Sequence, residues 1–420
     1  MNAVIKRSVL KGNVASVPSK SAGHRVLICA ALSDKPTNIK MKQSNDDIDA
    51  TADCLREMGA EIIRTADGFY VTPILKIPNT AYLRCGESGS TLRFLLPIAA
   101  SILPSACFYG SGRLPYRPIG ELQEVMKLNG VIFDKNNLPF TVSGKLRAGI
   151  YRISGNVSSQ YISGLLMALP LLSGDSQIEL TSPLYSEPYV NVTVDMLSKF
   201  GVIINRTESG FFITGNQKYK SPGRVETEGD WSGASFYLAA GAICGETTVS
   251  GLKLDSRQGD KAIVEILKKF GADISAENDG ITVRLAPLKA CKIDVSEIPD
   301  LFPILSVIGA CAEGTTVLYN ASALRLKESD RISSTATLIN SLGGKAVEYP
   351  DRLEVSGTKL NGGIVDSFHD HRIVMSAAIA ASICDGETII IGAEAINKSY
   401  PAFFSDYTSI GGKVNLEQGR

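Results

Sequence analysis

The nine residues Leu324–Ile332 carry an unusual density of charge. Their sequence, LRLKESDRI, contains Arg325, Lys327, Glu328, Asp330 and Arg331, whereas only 20% of the whole chain is charged. Arginine binds carboxylates and phosphates through paired hydrogen bonds, lysine supplies a point charge, and a carboxyl group can transfer protons. A helical pattern follows, so a solvated helix start capped by Asp330 is the simpler interpretation. The interpretation that we favour is a site for anionic substrates.

Chemically capable side chains also collect at predicted helix starts elsewhere in the chain. One series of starts falls at Lys20, Ser90, Gln160, Trp231, Asp300 and Arg372, and a second series falls at Asp46, Arg117, Pro188, Gln258, Asp330 and Lys398. A helix N-terminus exposes unpaired N–H groups and the positive end of the helix dipole, both of which favour anions. A pocket for phosphate and carboxylate groups is therefore predicted from the basic residues Lys20, Arg25, Arg117, Lys327, Arg331, Arg372 and Lys398.

The elements that carry these helix starts repeat along the chain. Glycines that follow predicted amphipathic helices recur every 68 to 72 residues, at Gly59, Gly130, Gly201, Gly271, Gly343 and Gly411. Glycine tolerates the left-handed conformation that ends many helices. Each period contains two helices, one of them apolar on all sides, and several strands. The pattern predicts an α/β protein of six repeats of about 70 residues, arranged in closed globular units.

Composition limits the classes of protein to consider. Lys plus Arg and Asp plus Glu both number 43, so no general attraction to nucleic acids or anionic membranes is expected. The eight cysteines form no Cys-x-x-Cys pair and there are only three histidines, so neither a metal site nor a disulfide framework is expected. The beginning, MNAVIKRSVLKG, has no signal-peptide pattern, and scattered thiols suit a reducing compartment, so a cytoplasmic location is expected.

A series of motifs resembles one known family. In order they are PSKSAGHR, CGESGSTLRF, RPIGEL, GNVSSQYISGLLMALP, SEPYVNVT, EGDWSGASFYLAAG, DSRQGD, IPDLFP, LRLKESDRI, DHRIVM and NKSYPAF. Together they resemble the 5-enolpyruvylshikimate-3-phosphate synthases. The resemblance implies a two-globe inside-out α/β barrel with three repeats per globe. The first globe would span residues 20–229 and the second residues 1–19 plus 230–420, with a hinge and the substrate cleft between them.

The resemblance also implies the reaction. The enolpyruvyl group of phosphoenolpyruvate would move to the 5-hydroxyl of shikimate 3-phosphate, with release of phosphate, by addition and elimination through a tetrahedral intermediate. No metal or organic cofactor would be needed. The two small-molecule substrates would be the partners, without nucleic acid or membrane, and the protein would be a monomer.

Individual roles follow from the same resemblance. The catalytic residues would be Asp300, Glu328, Lys20 and His371. Phosphoenolpyruvate would contact Lys20, Gly89, Arg117, Gln160, Arg331, Arg372 and Lys398. Shikimate 3-phosphate would contact Ser21, Arg25, Ser158, Ser159, Gln160, Ser186, Tyr189, Asp300 and Lys327. The sequence departs from the family pattern at Glu87 and Ala323, where asparagine is common.

The sequence leaves two alternative functions. One is the related transfer of enolpyruvate to UDP-N-acetylglucosamine, whose enzymes usually have Lys-Asn where this chain has Lys20-Ser21 and a cysteine in the loop that here reads GSGRLPYRPIG. The other is a non-enzymatic repeat protein or nucleic-acid binder, against which the balanced charge argues.

Overall fold

Helices and strands alternate along the chain in a computed structural model that describes residues 1–277 and 280–418. The strands are β1 (Asn2–Lys6), β2 (Leu10–Ala15), β3 (Thr37–Lys40), β4 (Glu61–Thr65), β5 (Gly68–Thr72), β6 (Ala81–Arg84), β7 (Ser105–Tyr109), β8 (Val131–Phe133), β9 (Phe140–Gly144), β10 (Ile150–Ile153), β11 (Ser176–Leu180), β12 (Asn205–Thr207), β13 (Gly210–Ile213), β14 (Arg224–Glu226), β15 (Gly245–Ser250), β16 (Asp273–Glu277), β17 (Gly280–Arg284), β18 (Lys292–Asp294), β19 (Thr315–Tyr319), β20 (Lys345–Tyr349), β21 (Arg352–Ser356), β22 (Gly363–Asp366), β23 (Thr388–Ile391) and β24 (Lys413–Glu417). The predicted α/β class is confirmed.

The α-helices lie between these strands. They are α1 (Lys20–Ala31), α2 (Asp46–Glu57), α3 (Gly89–Ile102), α4 (Gly120–Leu128), α5 (Ser159–Ala168), α6 (Glu187–Lys199), α7 (Trp231–Cys244), α8 (Ile263–Phe270), α9 (Phe302–Cys311), α10 (Arg331–Ser341), α11 (His371–Ala381) and α12 (Phe403–Ser409). Across the described residues, no helix combines the length and the apolar character needed to cross a bilayer.

The chain folds into two compact units, each with its own hydrophobic core. We call Lys20–Thr227 the N-terminal unit, and Met1–Ser19 together with Glu228–Arg420 the C-terminal unit. Strand β2 belongs to the C-terminal unit because it pairs in parallel with β15, from Leu10 beside Gly245 to Ala15 beside Ser250. The first residues of the chain are thereby fixed to a unit whose other residues follow more than two hundred positions later.

The described strands form six four-stranded sheets. Their orders are β14-β3-β5-β4, β6-β7-β9-β8 and β10-β11-β13-β12 in the N-terminal unit, and β2-β15-β17-β16, β18-β19-β21-β20 and β22-β23-β1-β24 in the C-terminal unit. In each sheet the first two strands run parallel and the remaining neighbours run antiparallel. Parallel strands need a crossover connection, and in four of the sheets the crossover helix is α3, α5, α9 or α11.

The apolar helices form the centres of the two cores. Most residues of α1, α3 and α5 are buried in the N-terminal unit, as are most residues of α7, α9 and α11 in the C-terminal unit. Such helices have no face that water could solvate, so burial on all sides is their stable arrangement. In α1, α3, α5, α7 and α11 the polar side chains are concentrated toward the N-terminal end, and in α9 the polar group Asp300 lies in the 3-10 helix just before it.

The predicted helix ends and starts can be compared with the structure. All six predicted cap glycines have positive φ, between 74° and 106°. Predicted starts at Lys20, Asp46 and Trp231 coincide with the first residues of α1, α2 and α7. Those at Ser90, Gln160, Pro188, Asp330 and Arg372 lie within one residue of the first residue of α3, α5, α6, α10 and α11.

Two predicted starts, at Arg117 and Lys398, were wrong, and proline explains both. Arg117 precedes Pro118, and α4 begins only at Gly120; Lys398 ends a 3-10 helix, Ala393–Lys398, and α12 begins only beyond Pro401. A residue before proline is disfavoured in the α conformation. Asp300 and Gln258 lie within one residue of the first residue of the 3-10 helices Pro299–Leu301 and Gly259–Ala262, which continue directly into α9 and α8.

Candidate active site

The buried side chain of Arg331 in the C-terminal unit holds three carboxylates. Its Nη1 donates to Asp300 Oδ1 at 2.7 Å, its Nη2 to Glu328 Oε2 at 2.6 Å, and its Nε to Asp370 Oδ2 at 2.8 Å. The Arg331 side chain is 1% exposed, whereas the side chains of Asp300 and Glu328 are 19% and 21% exposed. Arg331 therefore fixes two carboxyl groups that keep some access to solvent.

Helix caps position the members of this cluster. Asp330 accepts a hydrogen bond from the Ser333 N–H at 3.2 Å and caps α10, as predicted, so that Arg331 is the first residue of the helix. Asp370 caps α11 in the same way, accepting from the Arg372 N–H at 2.9 Å. A carboxylate at a helix N-terminus is stabilised by the free N–H groups and the helix dipole. Asp370 combines this role with its ion pair to Arg331.

A second arginine makes Asp300 a strongly anionic group. Arg372 Nη2 donates to Asp300 Oδ2 at 2.7 Å, so each carboxylate oxygen of Asp300 accepts from a different arginine. Burial alone would raise the pKa of Asp300, but the charges of Arg372, Arg331 and Lys327 outweigh burial and hold this pKa below its usual range. Asp300 is consequently ionised at neutral pH.

Lys398 and His371 lie at the start of α11. Lys398 Nζ donates to the carbonyl oxygen of His369 at 2.6 Å. Phe368 and His369 both have left-handed backbones, with φ of 51° and 54°. Such conformations are strained for non-glycine residues and are often found at functional sites. His371 is 2% exposed, and its Nδ1 lies 3.8 Å from Asp370 Oδ1.

A further buried carboxyl group lies in the C-terminal unit. Asp260, 2% exposed, accepts a short hydrogen bond from the hydroxyl of Ser232 at the start of α7. Burial and the negative charge of Asp300 raise the pKa of Asp260 to about 7, although Arg372 opposes this shift. The two acids near Arg372 thus differ in protonation, one ionised and the other titrating near neutrality.

Two arginines flank Gly89 in the N-terminal unit. A Cβ at Gly89 would lie 2.8 Å from Arg117 Nη1 and 2.9 Å from Arg93 Nη1, so a larger residue here would displace the two guanidinium groups from their present positions. Arg93 also donates to Gln160 Oε1 at 2.6 Å, and Gln160 Nε2 donates to Ser90 Oγ at 2.9 Å. Predicted residues Gly89, Arg117 and Gln160 are therefore brought together at the starts of α3 and α5.

Lys20 joins this region through α2. Its Nζ donates to Asp47 Oδ2 at 2.8 Å, with both side chains largely buried. Thr91 Oγ1 in turn lies 3.3 Å from the carbonyl oxygen of Asp47 and 2.8 Å from Ser88 Oγ, and its single proton can be donated to one of these two oxygens. Ser88 caps α3. A continuous set of hydrogen bonds therefore connects the first turns of α1, α2 and α3.

Arg25 connects α1 to α6 and is 2% exposed. It donates to the Ser21 carbonyl oxygen at 2.6 Å, to Thr193 Oγ1 at 2.7 Å and to the Tyr189 carbonyl oxygen at 2.9 Å. Burial lowers the pKa of Arg25 to about 10, which still leaves it charged at neutral pH. The guanidinium thus fixes Ser21 and Tyr189 relative to each other.

The remaining predicted serines lie at the starts of α5 and α6. Ser158 caps α5, accepting from the Gln160 N–H at 3.3 Å, and Ser159 is the first residue of that helix. Ser186 immediately precedes α6 and has a left-handed backbone with φ of 55°. For a residue other than glycine this conformation is costly, and it aims the residue differently from an ordinary helix cap.

Sequence reasoning missed four residues that connect predicted ones: Asp47, Arg93, Asp260 and Asp370. Arg93 could have been found because it is the one charged residue in the apolar stretch of α3. Asp370 lies two residues before the predicted helix start at Arg372, where an aspartate commonly caps a helix, and nothing in the local sequence points to a pairing with Arg331. Nothing in the sequence spacing indicated that Asp47 or Asp260 would meet Lys20 or Ser232.

Comparison with solved structures defines the class of protein to which the fold belongs. The structure is similar to the EPSP synthase of Acinetobacter baumannii, with a TM-score of 0.83 at 25% identity, covering 99% of this chain and 100% of that one. It is also similar to the enolpyruvyl transferase NikO of Streptomyces tendae, with a TM-score of 0.79 at 17% identity and coverage of 99% and 98%. The fold is thus the inside-out α/β fold of the enolpyruvyl transferases, as predicted.

Sequence comparison then identifies the family. The family model described as EPSP synthase (3-phosphoshikimate 1-carboxyvinyltransferase) matches residues 4–407. The protein of that name from Clostridium acetobutylicum is 43% identical over 99% of both chains, and that from Clostridium kluyveri is 42% identical over 98% of this chain and 97% of its own length. This chain belongs to the EPSP synthase family, which acts in the shikimate pathway of aromatic amino acid biosynthesis. The predicted enzyme class is confirmed, and transfer to a UDP-sugar is not favoured.

Proposed function

We propose that the protein transfers the enolpyruvyl group of phosphoenolpyruvate to the 5-hydroxyl of shikimate 3-phosphate and releases phosphate. The observation that carries this proposal is the arrangement in which Arg331 binds Asp300 and Glu328 at once. Two carboxyl groups held beside several cations suit a reaction that needs proton transfer at two positions on anionic substrates.

In the addition step, the 5-hydroxyl oxygen bonds to C2 of phosphoenolpyruvate while C3 gains a proton. Asp300, which is ionised beside its two arginine contacts, is assigned as the acceptor of the hydroxyl proton, although those contacts weaken it as a base. Glu328 donates the proton to C3, and the product is a tetrahedral intermediate. Lys327 and Arg372 balance the negative charge of the substrates beside these acids.

In the elimination step, C3 returns a proton to Glu328 and the bond from C2 to the phosphate oxygen breaks. The proton held by Asp300 leaves with the phosphate, so both carboxyl groups regain their starting states. Lys20 and Lys398 stabilise the departing phosphate, and Arg331 and Arg372 bind the carboxylate of the substrate. His371, packed beside Asp370, has a supporting role in positioning that helix start.

The N-terminal unit supplies the remaining substrate contacts in this proposal. Gly89, Arg117 and Gln160 bind phosphoenolpyruvate, and the flanking contacts of Arg93 support this role. Shikimate 3-phosphate is bound by Ser158, Ser159 and Gln160 at the start of α5 and by Ser186 and Tyr189 at the start of α6. Ser21 and Arg25 complete that set, supported by the hydrogen bond between them.

The proposal places the enzyme in the cytoplasm as a monomer, without a metal or organic cofactor and without nucleic-acid or membrane partners. All eight cysteines are free, which suits a reducing compartment. Sedimentation of the purified protein would test the monomer, since a dimer would sediment at twice the mass.

The decisive experiment is phosphate release in the presence of phosphoenolpyruvate and an acceptor. Release is expected with shikimate 3-phosphate and not with UDP-N-acetylglucosamine, and the product should be the enolpyruvyl ether of the 5-hydroxyl by nuclear magnetic resonance. The matched control is Glu328→Gln, which keeps the shape of the side chain but cannot carry the proton. Release with the UDP-sugar alone would contradict the proposal, as would release that is insensitive to Glu328→Gln.

A further inference from the structure

The loop between β7 and α4 is attached to the segment that leads into α3. The Ser111 N–H donates to the Gly86 carbonyl oxygen at 2.8 Å, and the Cys85 N–H donates to the Tyr109 carbonyl oxygen at 2.9 Å. At the other end of the loop, the Arg117 guanidinium lies against Gly89, close enough that a Cβ there would be 2.8 Å from Nη1. The position of Arg117 therefore depends on how this loop fits against the start of α3.

Glu87 lies against Gly112 in this loop. A Cβ at Gly112 would lie within 2.5 Å of Glu87 Cδ and Oε1, closer than real Cβ atoms approach other atoms, so either the Glu87 carboxylate or the loop would have to move. Gly112 has a φ of 55°, which favours glycine for its own reason. Glu87 is half-buried, while Gly112 is exposed, and the carboxylate lies against the loop at Gly112.

We propose that Glu87 is a positioning residue that sets the place of the Arg117 loop through its contact with Gly112, and thereby sets the affinity for phosphoenolpyruvate. This inference rests on the proposed function, in which Arg117 binds phosphoenolpyruvate. A guanidinium group binds an anion well only when its paired donors are correctly aligned, so a small displacement of the loop weakens binding. Glu87 does not touch the reacting atoms in this proposal.

The chain offers a matched control for the contact. Gly86 has a φ of 56°, almost the same as Gly112, yet nothing lies within 4 Å of the place where its Cβ would be. Alanine at either position bears the same backbone cost, because both would be left-handed. A difference between Gly112→Ala and Gly86→Ala therefore reports the surroundings of Gly112 beyond the backbone cost, and its loss in the Glu87→Ala background assigns it to Glu87.

The experiment compares steady-state kinetics and thermal unfolding for four variants: Gly86→Ala, Gly112→Ala, Glu87→Ala and the double variant Glu87→Ala/Gly112→Ala. Relative to Gly86→Ala, we expect Gly112→Ala to raise KM for phosphoenolpyruvate on the order of tenfold with kcat unchanged, as loss of uniform binding does. We expect Gly112→Ala to change KM less in the Glu87→Ala background, because the steric conflict is gone. Glu87→Gln keeps the shape of the side chain, so its KM for phosphoenolpyruvate should lie between the values of wild type and Glu87→Ala.

The outcomes separate this inference from the proposed function. A wild-type protein that releases no phosphate from the two substrates would overturn both. A fully active wild type whose Gly112→Ala and Gly86→Ala variants have equal KM values and equal unfolding temperatures would overturn the role of Glu87 alone. A rise confined to KM for shikimate 3-phosphate, or a fall in kcat without a change in KM, would likewise overturn it.

Discussion

Arg331 and Asp300, 31 positions apart in the sequence, are joined by a 2.7 Å hydrogen bond between Nη1 and Oδ1. The same guanidinium binds Glu328 and Asp370, so one arginine sets the relative positions of three acids. Breaking a buried arrangement of this kind by removing one partner leaves uncompensated charge. The proposed proton transfer groups are thus held by the same contacts that stabilise the starts of α10 and α11.

Amide substitutions should show that Asp300 and Glu328 take part in proton transfer, in contrast to other acids of the cluster. Asp300→Asn and Glu328→Gln are each expected to lower kcat by about 10²- to 10⁴-fold, since an amide cannot exchange the proton. The measurement is steady-state phosphate release with both substrates saturating. Asp330→Asn is the control, because asparagine also caps helices well and kcat should stay close to wild type. Near-normal turnover in either of the first two variants would remove that residue from the chemistry.

Asp260→Asn should change how stability depends on pH. The folded pKa of Asp260 is raised to about 7, above the usual value near 4. Its stabilising contribution is therefore present below about pH 4 and is lost as the pH rises to about 7. Wild type should lose unfolding free energy relative to Asp260→Asn across this window, by up to about 1.4 kcal/mol per pH unit.

Denaturant unfolding at several pH values between 4 and 8 would measure this difference. The groups that face Asp260 are Ser232, Asp230, Asp300 and Arg372, and none of them is altered by the substitution. Asp255→Asn, at an exposed position of the same segment, is the control, and its unfolding free energy should change with pH as that of wild type does. Parallel curves for Asp260→Asn as well would contradict the raised pKa.

Arg93→Lys should weaken the binding of phosphoenolpyruvate. Lysine keeps the charge but loses the planar fork that reaches both Gln160 and the Pro118 carbonyl oxygen. We expect KM for phosphoenolpyruvate to rise on the order of tenfold, because Gln160 and the wall beside Gly89 lose their support. Arg84→Lys, at an exposed arginine over the Tyr109 ring, is the control. Equal KM values for the two variants would show that Arg93 is only a packing residue.

Ser186→Gly should stabilise the fold and weaken the binding of shikimate 3-phosphate. Glycine relieves the left-handed backbone and is expected to raise the unfolding free energy by about 1 kcal/mol. Loss of the hydroxyl should raise KM for shikimate 3-phosphate if Ser186 contacts that substrate. Asn216 has the same φ of 55° at an exposed position. Asn216→Gly is therefore the control for the stability gained by relieving a left-handed backbone, and its KM should stay unchanged. Thermal unfolding and KM would be measured on both variants, and an unchanged KM for Ser186→Gly would contradict its assignment.

Local sequence predicted much of the fold correctly. The cap glycines, the apolar helices and the starts of α1, α2 and α7 follow from residue types that act within one or two turns of the chain, such as glycine after a helix and a polar residue before one. The wrong starts arose where a 3-10 turn or a proline intervenes, as at Arg117 and Lys398. There the conformation of the next two or three residues decides where the helix can begin.

The sequence by itself determined the family, the α/β class and most of the charged residues that we assign to the reaction, because these depend on residue identity and local order. Only the tertiary structure decided which partner each charge has. Asp370 lies 39 positions from Arg331, and Gln160 lies 67 from Arg93. The strength of such pairs depends on distance and burial in three dimensions, and neither can be read from spacing along a chain.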